Sequence, residues 1–298
     1  MGNLDYFFGL CARTKSLGER PFRNRCFRHY RNFALTDGIS IYKTQMAQAK
    51  VIGVLGFPVE HSKSPDIFNH FFENEGVTNW SYMKFSYETL PDFIEVLKLD
   101  AQITGFNVTI PHKEAILSYL NEFDTKAQRI GAVNTVTIKR NTNGALHLKG
   151  YNTDYHGFKI SLKTLPQTPE NAIVLGTGGA SKAVCAVLDD LNIPYKCVSR
   201  NPILAGILSY DQIETVWNHP HTVLINTTPV GMSGFPQKEF SLPFESLPMD
   251  LQVIDLVYNP QKTPLISVCE EKGLSCINGA LMLQKQAEMA WEIFKNNE

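Results

Sequence analysis

A short apolar run that passes directly into a glycine-rich turn most constrains the fold of this chain. Residues 172–175 are apolar, and Gly-Thr-Gly-Gly-Ala-Ser occupies positions 176–181. A helical pattern follows, and a second strand pattern covers residues 195–199. Strand, glycine turn, helix and strand together predict a βαβ unit, in which the two strands are parallel and joined across the helix.

The spacing of these glycines predicts that the turn binds a dinucleotide. Gly176 permits a tight exit from the strand, and Gly178 lets the backbone approach a pyrophosphate. The helix N-terminus beyond them supplies free N–H groups and positive potential. The motif is imperfect because Ser181 occupies its sixth position. Only the βαβ context distinguishes it from a glycine-rich connecting loop.

The end of the second strand indicates which dinucleotide is bound. NAD-binding chains usually place Asp or Glu about twenty residues after the turn, where the carboxylate bonds the ribose 2′-hydroxyl. This chain has Ser199-Arg200-Asn201 there. An arginine suits a 2′-phosphate, so the sequence favours NADP. A solvated surface arginine is the alternative interpretation of Arg200.

The rest of the chain alternates strand and helix patterns. Strands are predicted at 51–57, 80–87 and 105–110, and helices at 90–99 and from Ser64 onward. Ser64 suits the N-cap position ahead of Pro65, and Asn143-Gly144 suits a hairpin turn. The pattern predicts an α/β protein of two domains with a cleft between them: an N-terminal α/β domain with a mainly parallel sheet, and a Rossmann-type domain.

The domain boundaries follow from where these patterns change. Residues 49–154 plus 279–298 are predicted to form the first domain, because the final helix is expected to fold back on it, and residues 155–278 the second. Residues 1–48 are an extension of unknown role. The first fifty residues hold nine basic and three acidic side chains. The sequence leaves three interpretations of this extension: a segment that contacts nucleic acid, a transit segment, and the remnant of a fused neighbouring domain.

Composition excludes several classes of protein. Apolar content of 43%, charged content of 19% and a net charge of -1 are typical of a soluble globular protein, with no field that attracts nucleic acid or anionic membrane. No apolar run approaches the roughly 18 residues of a transmembrane helix. Six cysteines without a CxxC pair indicate reduced thiols and a cytoplasmic location. No cluster of His, Cys or carboxylates has metal-ligand spacing, so no metal is expected.

Three polar stretches follow short apolar runs, at residues 61–65, 107–113 and 150–154. Together they offer two hydroxyls, a lysine and an aspartate, which could hold a small hydroxylated acid and move a proton. Any one of them alone reads as a surface turn, since loop polar residues are commonly just solvated. Their joint occurrence in this order indicates a functional site.

Seven stretches together resemble the shikimate dehydrogenase family. They are residues 61–65, 107–113, 131–135, 152–154, 176–181, 226–232 and 258–260 with 263–265. They run in the family's order from about residue 51 to the C-terminus, which makes the resemblance specific. It implies NADPH-dependent reduction of 3-dehydroshikimate to shikimate, in the shikimate pathway of aromatic amino-acid biosynthesis.

The resemblance also implies roles for individual residues. Ser62 and Ser64 would bond the substrate carboxylate, with Tyr258 nearby. The ring hydroxyls and the reacting oxygen would be bonded by Thr109, Lys113, Asn134, Asp154 and Gln286. The cofactor would be held by Gly176, Gly178, Gly179, Ala180, Ser181, Ser199, Arg200, Met232 and Gly279, with Met232 beside the nicotinamide and Ser181 along the phosphates.

Lys113 and Asp154 are the predicted catalytic pair. Hydride arriving at a ketone carbon drives negative charge onto its oxygen, and a preorganised cation stabilises that charge. A proton must also reach the oxygen. Lys113 can serve both needs, and Asp154 can orient it. A solvated lysine at a helix start and a turn-forming aspartate are the structural alternatives.

Departures from the family pattern leave other functions open. No second basic residue comes shortly after Arg200, where the family often has one. Tyr155-His156 stands where many members have glycine. Asn278 precedes Gly279, where the family usually has Asp. One alternative is an NAD(P)-linked enzyme that acts on quinate as well as shikimate. Another is a ligand-sensing regulator without turnover, which the presence of both catalytic residues disfavours. The expected partner is a small-molecule substrate, and the protein is a monomer or a homodimer.

Overall fold

The computed structural model describes residues 49–202, 206–217, 219–236, 240 and 242–297. The predicted extension, residues 1–48, lies outside the described residues. Residues 48–298 form one compact unit. Two β-sheets with helices packed on them make up the described part of this unit, which confirms the α/β class.

The first sheet is built from six strands of the described region. They are β1 (Lys50–Gly56), β2 (Trp80–Ser86), β3 (Gly105–Val108), β4 (Glu122–Phe123), β5 (Thr135–Arg140) and β6 (Leu146–Tyr151). Their order is β2-β1-β3-β5-β6-β4. β1 is parallel to both of its neighbours, and β5 is antiparallel to both of its own. The hairpin predicted at Asn143-Gly144 is confirmed, since Gly144 has a φ of 80° between β5 and β6.

Short helices connect these strands. They are α1 (Ser64–Asn74), α2 (Leu90–Leu99), a 3-10 helix at Ala115–Tyr119 and α3 (Thr125–Ile130). α2 buries Leu90, Phe93 and Leu97 against one face of the sheet. Asp124 caps α3 by accepting a hydrogen bond from the Ala127 N–H at 2.7 Å.

The beginning of α1 differs from the prediction. Ser64 is the first helical residue, and Lys63 stands at the N-cap with αR backbone angles and no capping side chain. The helical turn therefore starts one residue earlier than the Ser-Pro pattern indicates. The Ser64 N–H donates to Ser62 Oγ at 3.3 Å. The prediction that Ser64 is the N-cap of α1 is therefore wrong.

The second sheet is parallel throughout its described strands. They are β7 (Asn171–Leu175), β8 (Tyr195–Val198), β9 (Thr222–Asn226), β10 (Gln252–Asp255) and β11 (Ser275–Asn278), in the order β11-β10-β9-β7-β8. α4 (Asp154–Leu162), α5 (Gly179–Asp190) and α6 (Pro264–Glu271) pack on it, and 3-10 helices cover Tyr210–Thr215 and Phe244–Ser246. The predicted βαβ unit is confirmed by parallel pairing of β7 with β8.

The last helix, α7 (Ala280–Lys295), folds back on the first sheet as predicted. Trp291 and Phe294 are buried in one cluster with Phe68 and Phe72 of α1. α7 also packs closely on α4, because a Cβ added at Gly157 would lie 2.5 Å from the Met282 carbonyl oxygen. The predicted boundary between residues 154 and 155 coincides with the beginning of α4, and the domain limits stay a prediction.

Within the part of the chain that the structure describes, no helix is long and apolar enough to cross a membrane. The cysteines of that part, Cys185, Cys197, Cys269 and Cys276, are free thiols. Cys11 and Cys26 fall outside it.

Candidate active site

Two cavities lined by described residues share Thr109, Lys113 and Ala180. The first, of about 160 Å³, is lined by every residue predicted to bind or convert the substrate, namely Ser62, Ser64, Thr109, Lys113, Asn134, Asp154, Tyr258 and Gln286. The second, of about 380 Å³, lies along the glycine turn. The two cavities therefore meet at the predicted catalytic lysine.

The ends of the strands bring these side chains together. β1 leads into the loop with Ser62, and β3 ends just before Thr109. Asn134 directly precedes β5, and Asp154 opens α4 after β6. In open α/β sheets, ligands bind outside the carboxyl ends of parallel strands. The first sheet follows that rule at β1 and β3.

Lys113 and Asp154 form an ion pair inside the first cavity. Lys113 Nζ lies 2.5 Å from Asp154 Oδ2, with 16% and 8% of the side chains exposed. The low exposure keeps water from screening the pair. Lys113 stands in the loop after β3, and the element that follows is a 3-10 helix rather than an α-helix. Asp154 lies in the first turn of α4, where the helix dipole favours a carboxylate.

Asn134 fixes the other oxygen of Asp154. Its Nδ2 donates to Asp154 Oδ1 and to Thr153 Oγ1, each at 2.9 Å, and reaches Gln286 Oε1 at 3.3 Å. Its Oδ1 accepts a hydrogen bond from the Thr153 N–H at 2.7 Å. Asn134 therefore joins β5, α4 and α7 behind the ion pair. Sequence reasoning missed Thr153, although it lies inside a motif that was singled out.

The two serines line the first cavity from the loop after β1. Ser62 Oγ donates to Ser64 Oγ at 3.2 Å. Tyr258 comes from the chain beyond β10 of the second sheet and lines the same cavity as the serines. Burial raises the pKa of Tyr258 above its ordinary value, so the phenol keeps its proton. Tyr258 thus adds a group from the second sheet to the cavity of the serines.

Asn107 lines the first cavity and was not among the predicted site residues. Its Nδ2 donates to Thr135 Oγ1 at 3.0 Å and to the Asn134 carbonyl at 3.3 Å. Its Oδ1 accepts from the Tyr82 hydroxyl at 2.8 Å. The sequence could have indicated Asn107 as a site residue, because it lies in the polar stretch 107–113. Tyr82 carries no such signal, because a tyrosine alternating within a strand reads as a core residue.

The glycine turn shapes the second cavity. Gly176 has a φ of 107°, in the left-handed region that favours glycine. A Cβ added at Gly178 would meet no atom within 4 Å, so the backbone there faces open space. A Cβ added at Gly179 would lie 2.9 Å from Lys113 Cβ. Glycine at 179 therefore lets the N-terminus of α5 approach the catalytic lysine.

Arg200 and Ser199 line the second cavity together with Gly176, Gly178, Gly179 and Ala180. Tyr210 also lines it and was missed. Burial raises the pKa of Tyr210, while the positive charge of Arg200 lowers it. That these residues bind the cofactor stays a prediction.

Three predicted cofactor residues lie elsewhere. Ser181 is 2% exposed, and its hydroxyl lies 3.9 Å from Cys185 Sγ. Met232 lies in a turn after β9, where its N–H donates to the Pro229 carbonyl at 3.1 Å. Gly279 lines the first cavity rather than the second. Their roles toward the cofactor stay predictions.

The expectation that the chain binds no metal stays a prediction. Among the described residues, no group of three or more His, Cys, Asp or Glu side chains is arranged to hold an ion. The polar groups of the first cavity are instead hydroxyls, amides and one ion pair, which suit an organic hydroxy acid.

Comparison with known proteins adds an independent finding. A family model described as the shikimate dehydrogenase substrate binding domain matches residues 54–136. The shikimate dehydrogenase (NADP(+)) of Methanococcus aeolicus is 35% identical over 264 residues, which cover 83% of this chain and 92% of that protein.

Solved structures give the same result. The shikimate dehydrogenase of Aquifex aeolicus is 33% identical, with a TM-score of 0.69, over 83% of this chain and 93% of that one. The Thermus thermophilus enzyme, solved in complex with NADP(H) and shikimate, is 32% identical with a TM-score of 0.67, over 82% of this chain and 93% of that one. Each similarity therefore covers most of both chains.

Proposed function

Because the chain belongs to the shikimate dehydrogenase family, we propose that it catalyses the reversible, NADPH-dependent reduction of 3-dehydroshikimate to shikimate. This reaction belongs to the shikimate pathway of aromatic amino-acid biosynthesis. One observation carries the proposal: the Lys113–Asp154 ion pair lies where a cavity of hydroxyls and amides meets a cavity built on a dinucleotide-binding turn.

The second cavity fits NADPH. Gly178 leaves the space that a pyrophosphate needs, and the free N–H groups at the N-terminus of α5 face the same turn. Arg200, with Ser199, supplies a cation for the 2′-phosphate. The bound cofactor supplies the hydride. The chain's own residues must hold the substrate, stabilise the oxyanion and deliver the proton.

Lys113 stabilises the negative charge that develops on the reacting oxygen and donates the proton to it. A charge held in place before the reaction stabilises the transition state more than the ground state. Asp154 holds the ammonium group at one oxygen while Asn134 holds its other oxygen. Because both of its oxygens are bonded, the Asp154 carboxylate is kept from rotating and holds Lys113 in one orientation. In the direction of shikimate oxidation, the same ammonium group must lose its proton before it accepts one from the substrate hydroxyl.

The remaining residues of the first cavity orient the substrate. Ser62 and Ser64 bond its carboxylate, with the phenol of Tyr258 in the same cavity. Thr109, Asn134 and Gln286 offer groups for the ring hydroxyls. Because the serines and Lys113 line one cavity, a substrate whose carboxylate is bonded by the serines lies in the cavity that Lys113 enters.

We also propose a cellular location and a kind of binding partner for the protein. The free thiols of the described cysteines support a cytoplasmic location. The substrate is a small molecule, and monomer and homodimer stay open.

The test is absorbance in the reduced-nicotinamide band, with shikimate or quinate crossed against NADP or NAD. We expect the highest kcat/KM for shikimate with NADP. A comparable kcat/KM for quinate would support the broader quinate/shikimate enzyme instead. If calorimetry shows that the folded protein binds shikimate but no pair is turned over, the chain is a ligand-binding regulator and the proposal is wrong.

A further inference from the structure

The Tyr82 hydroxyl lies behind the wall of the first cavity, and nothing in the reaction described above uses it. We propose that Tyr82 is a positioning residue for the substrate: its hydroxyl holds Asn107 in the orientation in which it faces the cavity, and its ring packs on α1, the helix that carries Ser64. This inference rests on the proposed function, because it concerns the same cavity.

The contacts of the hydroxyl carry the inference. It donates to Asn107 Oδ1 at 2.8 Å. Asn107 lines the cavity together with Ser62 and Ser64, whereas Tyr82 does not. The phenol therefore acts through a residue that can touch the substrate.

A phenol is suited to this place because its hydroxyl can donate a hydrogen bond from within an apolar packing layer. Donation to Asn107 Oδ1 determines which end of the amide faces Tyr82. The opposite end, Nδ2, then donates to Thr135 Oγ1 and to the Asn134 carbonyl. Burial raises the pKa of Tyr82, so the hydroxyl keeps its proton. The orientation of Asn107 is thus tied to the residue that also holds Asp154.

The ring of Tyr82 fixes a second element. It stacks on Phe68 of α1 with the centroids 4.2 Å apart and 19° between the planes, and Tyr82 is 8% exposed. α1 carries Ser64 in its first turn. One side chain therefore packs on α1 through its ring and hydrogen-bonds Asn107 of β3 through its hydroxyl.

Tyr82→Phe tests the inference because it keeps the stacked ring and removes one oxygen. Loss of a buried hydrogen-bond partner should raise the KM and the calorimetric Kd for shikimate about tenfold and leave the KM for NADP within about twofold. The melting temperature should stay close to that of the wild type.

Tyr155→Phe is the matched control. Tyr155 is 4% exposed, and its hydroxyl donates to Asp190 at 2.6 Å outside both cavities. Its loss should leave both KM values unchanged. A double-mutant cycle of Tyr82→Phe with Asn107→Ala should be less than additive, because both changes remove the same hydrogen bond.

Three outcomes separate the possibilities. If Tyr82→Phe leaves the KM and Kd for shikimate unchanged, the inference is wrong although the proposed function stands. If it raises the KM values for shikimate and NADP equally and lowers the melting temperature, Tyr82 is only structural and the inference is also wrong. If the wild type neither turns over nor binds shikimate, the proposed function fails first.

Discussion

Lys113 Nζ lies 2.5 Å from Asp154 Oδ2, although the two residues are 41 positions apart in the chain. The loop after β3 supplies the ammonium group, and the first turn of α4 supplies the carboxylate. Lys113 lines both cavities, and Asp154 lines the first. An ammonium group held in this way should dominate the stabilisation of the reacting oxygen.

Lys113→Ala should lower kcat by about 10²–10³, the typical effect of losing an electrostatic donor to a developing oxyanion. The affinity for NADP should change little, since the glycine turn and Arg200 remain. Stopped-flow or steady-state absorbance measures kcat, and calorimetry measures the cofactor. Lys98→Ala removes a surface lysine paired with Glu95 and should leave both unchanged. Near-native turnover of Lys113→Ala would remove Lys113 from the mechanism.

The double change of Ser62 and Ser64 to Ala should raise the KM for shikimate by at least roughly 10²-fold, because two hydrogen bonds to a carboxylate are lost. Cofactor binding should be spared. Ser64 is not the N-cap of α1, but the double change removes the Ser62 hydroxyl that accepts from the Ser64 N–H, so thermal melts are run beside the assay and a small drop in melting temperature is expected. An unchanged KM in the folded double variant would overturn the assignment of the carboxylate site.

Gly178→Ala should weaken NADP without weakening the fold. A Cβ at Gly178 meets no atom within 4 Å and projects into the space that a pyrophosphate would occupy. We expect a Kd for NADP raised roughly tenfold, which corresponds to about 1.4 kcal/mol, and an unchanged melting temperature. Unaltered NADP binding would show that the phosphates lie elsewhere.

Arg200→Asp should shift the preference from NADP toward NAD. A carboxylate at this place repels a 2′-phosphate and can accept from a 2′-hydroxyl. The measurement is the ratio of kcat/KM for the two cofactors. Arg200→Gln is the matched control, expected to weaken NADP without any gain for NAD. A ratio that does not move in Arg200→Asp means that the arginine does not read the phosphate.

Asp190 should make a contribution to stability that is lost in acid. Arg129 of α3 binds its carboxylate through two bonds of 2.6 and 2.9 Å, and Tyr155 donates to it as well. These bonds, those of Arg129 above all, hold the pKa of Asp190 well below its ordinary value of 3.8. Because the folded pKa is depressed, the contribution is present above the unfolded pKa and disappears as pH falls through the folded one.

Asp190→Asn should therefore melt at a lower temperature than the wild type at pH 7, and the difference should narrow below about pH 4. The effect should be modest and reduced by salt, since the pair is partly exposed. Melting curves over a pH series measure it. A difference that is constant with pH would mean that Asp190 contributes packing rather than charge.

Much of the fold could be predicted because it depends on local patterns. The strand before Gly176 and the helix after it follow from a run of apolar residues and a turn that only glycine permits. The predicted bounds of α2 match those observed, since Leu90–Leu99 carries its full helical periodicity. β11 and α6 were not predicted, because Ser275–Asn278 lacks a strong apolar run and pairs only along an edge of the sheet.

The sequence by itself determined which chemical groups the chain offers and the order of its strands and helices, because side-chain identity and periodicity are local properties. The tertiary structure alone decided the contacts between distant positions: Tyr82 with Asn107, Arg129 with Asp190, and the N-terminus of α5 with Lys113. It also decided that Ser64 is no helix cap. Such contacts depend on how packed layers fix the separation of two chain segments, and no pattern within either segment encodes that distance.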